Sequence, residues 1–145
     1  MSTSKTQARK SALQALYQWQ LTQYNLSEIE RQFLEEHGIG KGELAYFQDL
    51  LHNVPARLDE IDAALAEFTS RQVDQIDPVE RAILRISTYE LLCHPETPYR
   101  VIVNEGINLA KEFGATQSHK FVNGLLDRLA KKLRPVEAQA NEKNR

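Results

Sequence analysis

Residues 77–92 read DPVERAILRISTYELL, and this stretch decides the fold. At helical spacing it carries one apolar line through Val79, Ala82, Ile83 and Ile86 and a second, on another face, through Leu84, Leu91 and Leu92. A helix apolar on more than one side has to be surrounded. Its start is marked by Asp77 as a cap, Pro78 at the first helical position and Glu80 three residues after the cap. Pro95 and Pro98 end it, and the rest of the chain must supply its partners.

Upstream, Leu44, Phe47, Leu51 and Val54 follow helical spacing until Pro55, where a kink or break is expected before Leu58, Ile61, Leu65 and Phe68 continue the pattern. Residues 69–76 read as a linker. A first helix spans about residues 5–23, with Ala8, Ala12, Ala15, Leu16 and Trp19 as its buried stripe and Arg9, Leu13 and Tyr17 on the neighbouring line. Asn25 and Leu26 break it, and Ser27 with Glu30 reads as a capping box for a second helix through Ile29, Phe33 and Leu34, stopped by Gly38.

Downstream, Thr97 and Pro98 open a helix with the stripe Ile102, Gly106, Leu109, Ala110 and Phe113. Gly106 within that stripe costs about 1 kcal/mol against Ala, which implies close approach of a neighbouring helix. Gly114 stops the helix and Ser118 is placed to cap the next, whose inward residues are Val122, Leu125, Leu126, Leu129 and Leu133 before Pro135 closes it. Residues 136–145 are polar and read as a flexible tail. No segment has the period of a strand. The expectation is one all-α domain over residues 1–145, two three-helix bundles sharing the central helix, with amino-terminal helices over about 5–68 and carboxy-terminal helices over about 77–133.

A chain of 145 residues with net charge -2 supports one domain with a real core. No apolar run approaches bilayer thickness, and residues 1–16 place no apolar core behind their charges, so a cytoplasmic protein is expected. Cys93 is the sole cysteine and reads as a small packed hydrophobe, without a disulfide or a cysteine-based metal cage. His37, His52, His94 and His119 are scattered, with no i, i+4 pair for a metal. Neither a phosphate loop nor a nucleophile pattern is present, so no enzyme activity, cofactor or metal is expected. Glu90 points toward the core and reads as a buried structural acid, because a lone carboxylate has no partner for acid–base work.

Charge is uneven. The first twenty-seven residues hold Lys5, Arg9 and Lys10 and no acid, residues 28–80 are acid-rich, and Lys and Arg return over residues 111–134. Between the last two long helices the turn KEFGATQSHKFVNG brings Lys111, Phe113, Gln117, Ser118 and Lys120 toward one gap, beside the free N–H groups of a helix start. Taken alone this is equally a plain capped turn. With Arg9 and Lys10 packed alongside, it forms a basic groove suited to single-stranded RNA.

The strings ARKSALQALYQWQ, DPVERAILRISTYELL and PYRVIVNEGINLAKEFGATQSHKFVNGLLDRLAK resemble the NusB family of bacterial transcription antitermination factors, over about residues 9–131. The resemblance implies two three-helix bundles and binding to the boxA element of nascent RNA, especially ribosomal RNA, together with the ribosomal protein NusE, within an antitermination complex on RNA polymerase. Carried over by motif position, it implies an RNA surface drawing on Arg9, Lys10, Lys111, Phe113, Gln117, Ser118 and Lys120, with Phe113 serving either core or RNA. A NusE surface would draw on Tyr17, Asp74, Glu80, Leu84, Arg85 and Thr88. The amino-terminal basic cluster is thinner than the family often shows, and Gly106 stands where Ala is usual. The alternatives are a detached RNA-targeting module of the rRNA-modification type and a structural helical protein that forms a homodimer through the face assigned to RNA.

Overall fold

The structure is a computed structural model and describes residues 3–143. These form α1 (Ser4–Thr22), α2 (Leu26–His37), α3 (Lys41–Ala56), α4 (Leu58–Ala66), a 3-10 turn (Val73–Gln75), α5 (Pro78–Cys93), α6 (Tyr99–Phe113), α7 (Ser118–Leu133) and α8 (Pro135–Lys143). Helices α1–α3 make one bundle, α5–α7 the other, and α4 lies against α5. As its two apolar lines require, α5 is the shared element: residues 82–91 are buried without interruption, and α1, α3, α4, α6 and α7 all pack on it.

Asp77 accepts hydrogen bonds from the Val79 and Glu80 N–H groups and starts α5 with Pro78 behind it. Pro55 acts as expected: α3 ends at Ala56 and α4 resumes at Leu58, with the Arg57 N–H turned back to the Asn53 carbonyl. Gly106 is required by packing, since a Cβ there would lie 2.8 Å from Leu126 and 2.9 Å from the Ser87 hydroxyl. It lets α6 approach both α5 and α7.

Two local readings are corrected. The cap of α2 is Asn25, whose Oδ1 accepts from the Ser27 and Glu28 N–H groups; Asn competes as well as Ser for this position, and Ser27 falls inside the helix. The segment 136–145, expected to be a flexible tail, is helical through residue 143 as part of α8. The reason is Arg134, which the sequence pattern treats as the end of α7. Its guanidinium donates to the carbonyls of Glu90, Leu91, His94 and Thr97, so that it closes the C-terminal end of α5 where orphan acceptors and the negative helix end coincide. Glu137 bonds Arg134 and accepts the Tyr99 N–H at the start of α6, and Ala138 is buried. Residues 144 and 145 lie outside the described residues.

Inside the shared region a polar cluster joins three helices. Arg9 of α1 donates from Nε and Nη2 to the two Glu90 carboxylate oxygens at 2.8 and 2.7 Å, and the Tyr46 hydroxyl of α3 donates to the same carboxylate at 2.8 Å. Arg9 and Glu90 are 2 % and 1 % exposed. Burial alone would lower the Arg9 pKa, but the hydrogen bonds and charge of Glu90 outweigh it and the pKa is raised. Burial, and then the Glu90 charge, raise the Tyr46 pKa, which keeps the phenol a donor. Removing one member of a buried pair strands the other charge. Glu90→Gln should therefore lose about 3–5 kcal/mol in urea unfolding. Arg9→Met combined with Glu90→Leu should lose less than Glu90→Gln alone. An unshifted urea midpoint for Glu90→Gln would contradict this reading.

Candidate nucleic-acid interface

The α6–α7 turn is tight because Gly114 has no side chain: a Cβ there would sit 2.7 Å from the Ala110 carbonyl oxygen and 2.8 Å from the Ser118 Cβ. Gln117 precedes α7 with a left-handed backbone, φ 78°, which is uncommon for a residue with a Cβ, and its exposed side chain makes no capping bond. Lys111 and Lys120 are exposed on the two sides of this turn. Lys10 joins them from α1, its Nζ lying 3.2 Å from Glu112 Oε2 at the end of α6. The structure thus brings Lys10, Lys111, Gln117 and Lys120 to one end of the hairpin. Glu112, an acid among these cations, was not among the residues the sequence singled out at this turn.

Two of the expected RNA residues, Arg9 and Ser118, are buried, and a third, Phe113, is half-buried. Arg9 is consumed by Glu90 and lies 3.5 Å from Glu105, so its charge does not face solvent. Ser118 is the first residue of α7 rather than its cap and is buried against Gly114. Phe113 is half-buried and packs on the core. The helix start is also less rich in free donors than expected, because the Ser118 and Lys120 N–H groups are bonded to the Ala115 and Gln117 carbonyls.

A second surface lies where α1 passes the start of α5. Gln20 donates to the Pro78 carbonyl at 2.9 Å and accepts from Arg85 at 2.9 Å, fixing the two helices there. Tyr17 is 38 % exposed, Asp74 is exposed on the 3-10 turn and Glu80 is half-exposed in the first turn of α5. Leu84, Arg85 and Thr88, expected on the same surface, are buried. Past its first turn α5 is buried as far as Leu91: Thr88 donates to the Leu84 carbonyl, and Arg85 forms a two-pronged ion pair with Asp62 of α4. Those three residues support the surface from behind. Arg81 was missed: its Nη1 donates to the Asp74 carbonyl, placing a cation within the acidic face. Leu21 and Tyr24, exposed large apolar side chains, were missed as well because they lie off the helical stripe. Leu21 lines a groove of about 400 Å³ between α1 and α2 with Tyr17, Phe33 and His37.

Among the described residues no helix is long and apolar enough to cross a membrane, and no three His, Cys, Asp or Glu side chains are grouped to hold a metal.

The NusB family model matches residues 6–131. The transcription antitermination protein NusB of Pseudomonas putida (strain GB-1) is 50 % identical over 142 residues, covering 98 % of this chain and 86 % of that protein. Its counterpart in Methylococcus capsulatus is 41 % identical and covers 99 % of this chain and 100 % of that protein. Among solved structures, T. maritima NusB superposes with a TM-score of 0.83 at 30 % identity, covering 97 % of this chain and 99 % of that one. NusB in a crystal structure of the antitermination factors NusB and NusE in complex with dsRNA gives 0.83 at 28 % identity, covering 91 % and 99 %. With the surrounded central helix and the α6–α7 hairpin already in place, these likenesses establish that the chain belongs to the NusB family.

Proposed function

We propose that the chain is an RNA-binding adaptor of transcription antitermination. With NusE, the ribosomal protein, it holds boxA RNA of nascent transcripts, ribosomal RNA above all, on elongating RNA polymerase in the cytoplasm. The observation that carries this reading is the meeting of Lys10, Lys111, Gln117 and Lys120, from three helices, at one end of the α6–α7 hairpin. Cations supply the sequence-independent grip on phosphate, and the Gln117 amide offers a donor and an acceptor to a base edge or a backbone oxygen. The similar NusB seen with NusE and dsRNA supports a nucleic-acid role. The activity is binding rather than chemistry, since the one core carboxylate, Glu90, is taken up by Arg9 and Tyr46. Tyr17, Asp74 and Glu80 form the NusE surface, with charge complementarity toward a basic ribosomal protein orienting the encounter.

With Arg9 withdrawn from the surface, few cations remain to displace counterions, so the chain alone binds boxA RNA weakly and NusE strengthens it. By linkage the RNA strengthens NusE binding by the same factor. In titrations at several salt concentrations, Lys120→Ala should weaken all RNA sequences alike and flatten the log–log salt slope by about one unit. Equal RNA affinity with and without NusE, or an unchanged slope for Lys120→Ala, would contradict the adaptor reading. On the other surface, Glu80→Lys should weaken NusE binding while the circular dichroism melt stays within a degree or two of the parent, because an exposed first-turn substitution changes stability by only about 0.5 kcal/mol. Normal NusE binding by that variant would remove Glu80 from the interface.

A further inference from the structure

Gly124 lies in the middle of α7, where a glycine weakens the helix relative to alanine. Neither conformation nor packing calls for it. Its φ is not positive, and a Cβ built there meets nothing within 4 Å, in contrast to Gly106 and Gly114, where a Cβ would collide with neighbours. A residue that costs stability and is not needed by the fold points to something approaching from outside.

Its surroundings state what that is. Gly124 follows Lys120 by four residues and precedes Arg128 by four, so all three share one exposed line about 12 Å long. Arg128 is fixed over this line, its Nε donating to the Gly124 carbonyl and its Nη2 to the Phe68 carbonyl, both at 3.2 Å. Beside the line, a groove of about 150 Å³ between α6 and α7 is lined by Arg100, Asn104, Asn123 and Asp127 at its polar side and by Tyr99, Val103 and Ile107. The Asn104 and Asn123 amides make no hydrogen bond within the protein, and Asp127 is paired with Lys131. A cation at each end, a flat window of bare backbone between them and two unengaged amides at its edge match the phosphates and base edges of a single RNA strand.

We propose that the outer face of α7, with Gly124 at its centre, is the floor along which the RNA backbone continues from the α6–α7 turn, and that Asn104 and Asn123 read a base edge in the adjoining groove. This rests on the adaptor reading above and extends its RNA surface by two turns of helix.

The test uses the full chain with NusE present, titrated with a boxA single-stranded RNA and a scrambled RNA of equal length, alongside thermal melts. Gly124→Ala should raise Tm by about 2–4 °C and yet weaken both RNAs about tenfold, with Gly124→Gln weaker still. The paired change Asn104→Ala with Asn123→Ala should leave Tm in place and narrow the preference for boxA over the scrambled RNA. Opposite signs for stability and binding at one residue are what a purely structural glycine does not give. A lower Tm for Gly124→Ala would show that the fold needs the glycine, and RNA affinity equal to the parent's would show that nothing approaches it; either overturns the proposal. Loss of self-association on a sizing column with RNA affinity intact would assign the face to a second copy and overturn it too. Should Lys120→Ala weaken RNA while Gly124→Ala does not, the floor is wrong and the adaptor reading stands. If the parent chain with NusE binds neither RNA, both fail.

Discussion

The ion pair between Arg9 and Glu90, buried among α1, α3 and α5, is the constraint on which the arrangement of this protein depends. A buried pair of this kind adds little net stability, because desolvation offsets most of the attraction, but it punishes misplacement severely. Its effect is to fix the rotation of α1 against α5. With Arg9 turned inward, Lys10, about 100° further round the helix, points toward α6 and meets Glu112. The cation that α1 contributes to the hairpin end is therefore placed by the residue before it, which itself does not face solvent.

A second consequence is the separation of two surfaces on one support. The hairpin end draws its cations from α1, α6 and α7, whereas Asp74 and Glu80 lie at the start of α5, where Gln20 of α1 meets Pro78, and Tyr17 lines the groove between α1 and α2. Both rest on α5, which is enclosed over ten residues and closed at its C-terminal end by Arg134. A helix this enclosed has little room to shift between the two surfaces.

Much of this was legible in the residues themselves. Two apolar lines on residues 77–92 required a surrounded helix, Pro55 required a break, and Gly106 required a close approach; each is a local steric or burial rule that needs no knowledge of the partner. Apart from the caps of α2 and α7, which fall one or two residues before the expected serines, the failures were non-local. Arg9 on a helical line looks the same whether its partner is water or a carboxylate 81 positions away. Leu84, Arg85 and Thr88 follow Glu80 in a helix that is buried over residues 82–91, and only the position of α4 and α6 shows where that burial starts. Arg134 reads as the end of one helix until the carbonyls of another are set beside it, and α8 follows from that clasp. Of the residues expected at the RNA site, Lys10, Lys111, Gln117 and Lys120 lie at the hairpin end, while Arg9 and Ser118 are buried and Phe113 packs half-buried on the core.

The most direct measurement is a map of backbone amide chemical shifts as boxA RNA is added to the chain with unlabelled NusE already bound. Changes should cluster at Lys10, over residues 111–120 and along the exposed line of α7, while the guanidinium resonance of Arg9 stays where the Glu90 contact puts it. Changes centred instead on Tyr17, Asp74 and Glu80, or an Arg9 guanidinium that shifts on RNA addition, would contradict the placement of the RNA surface.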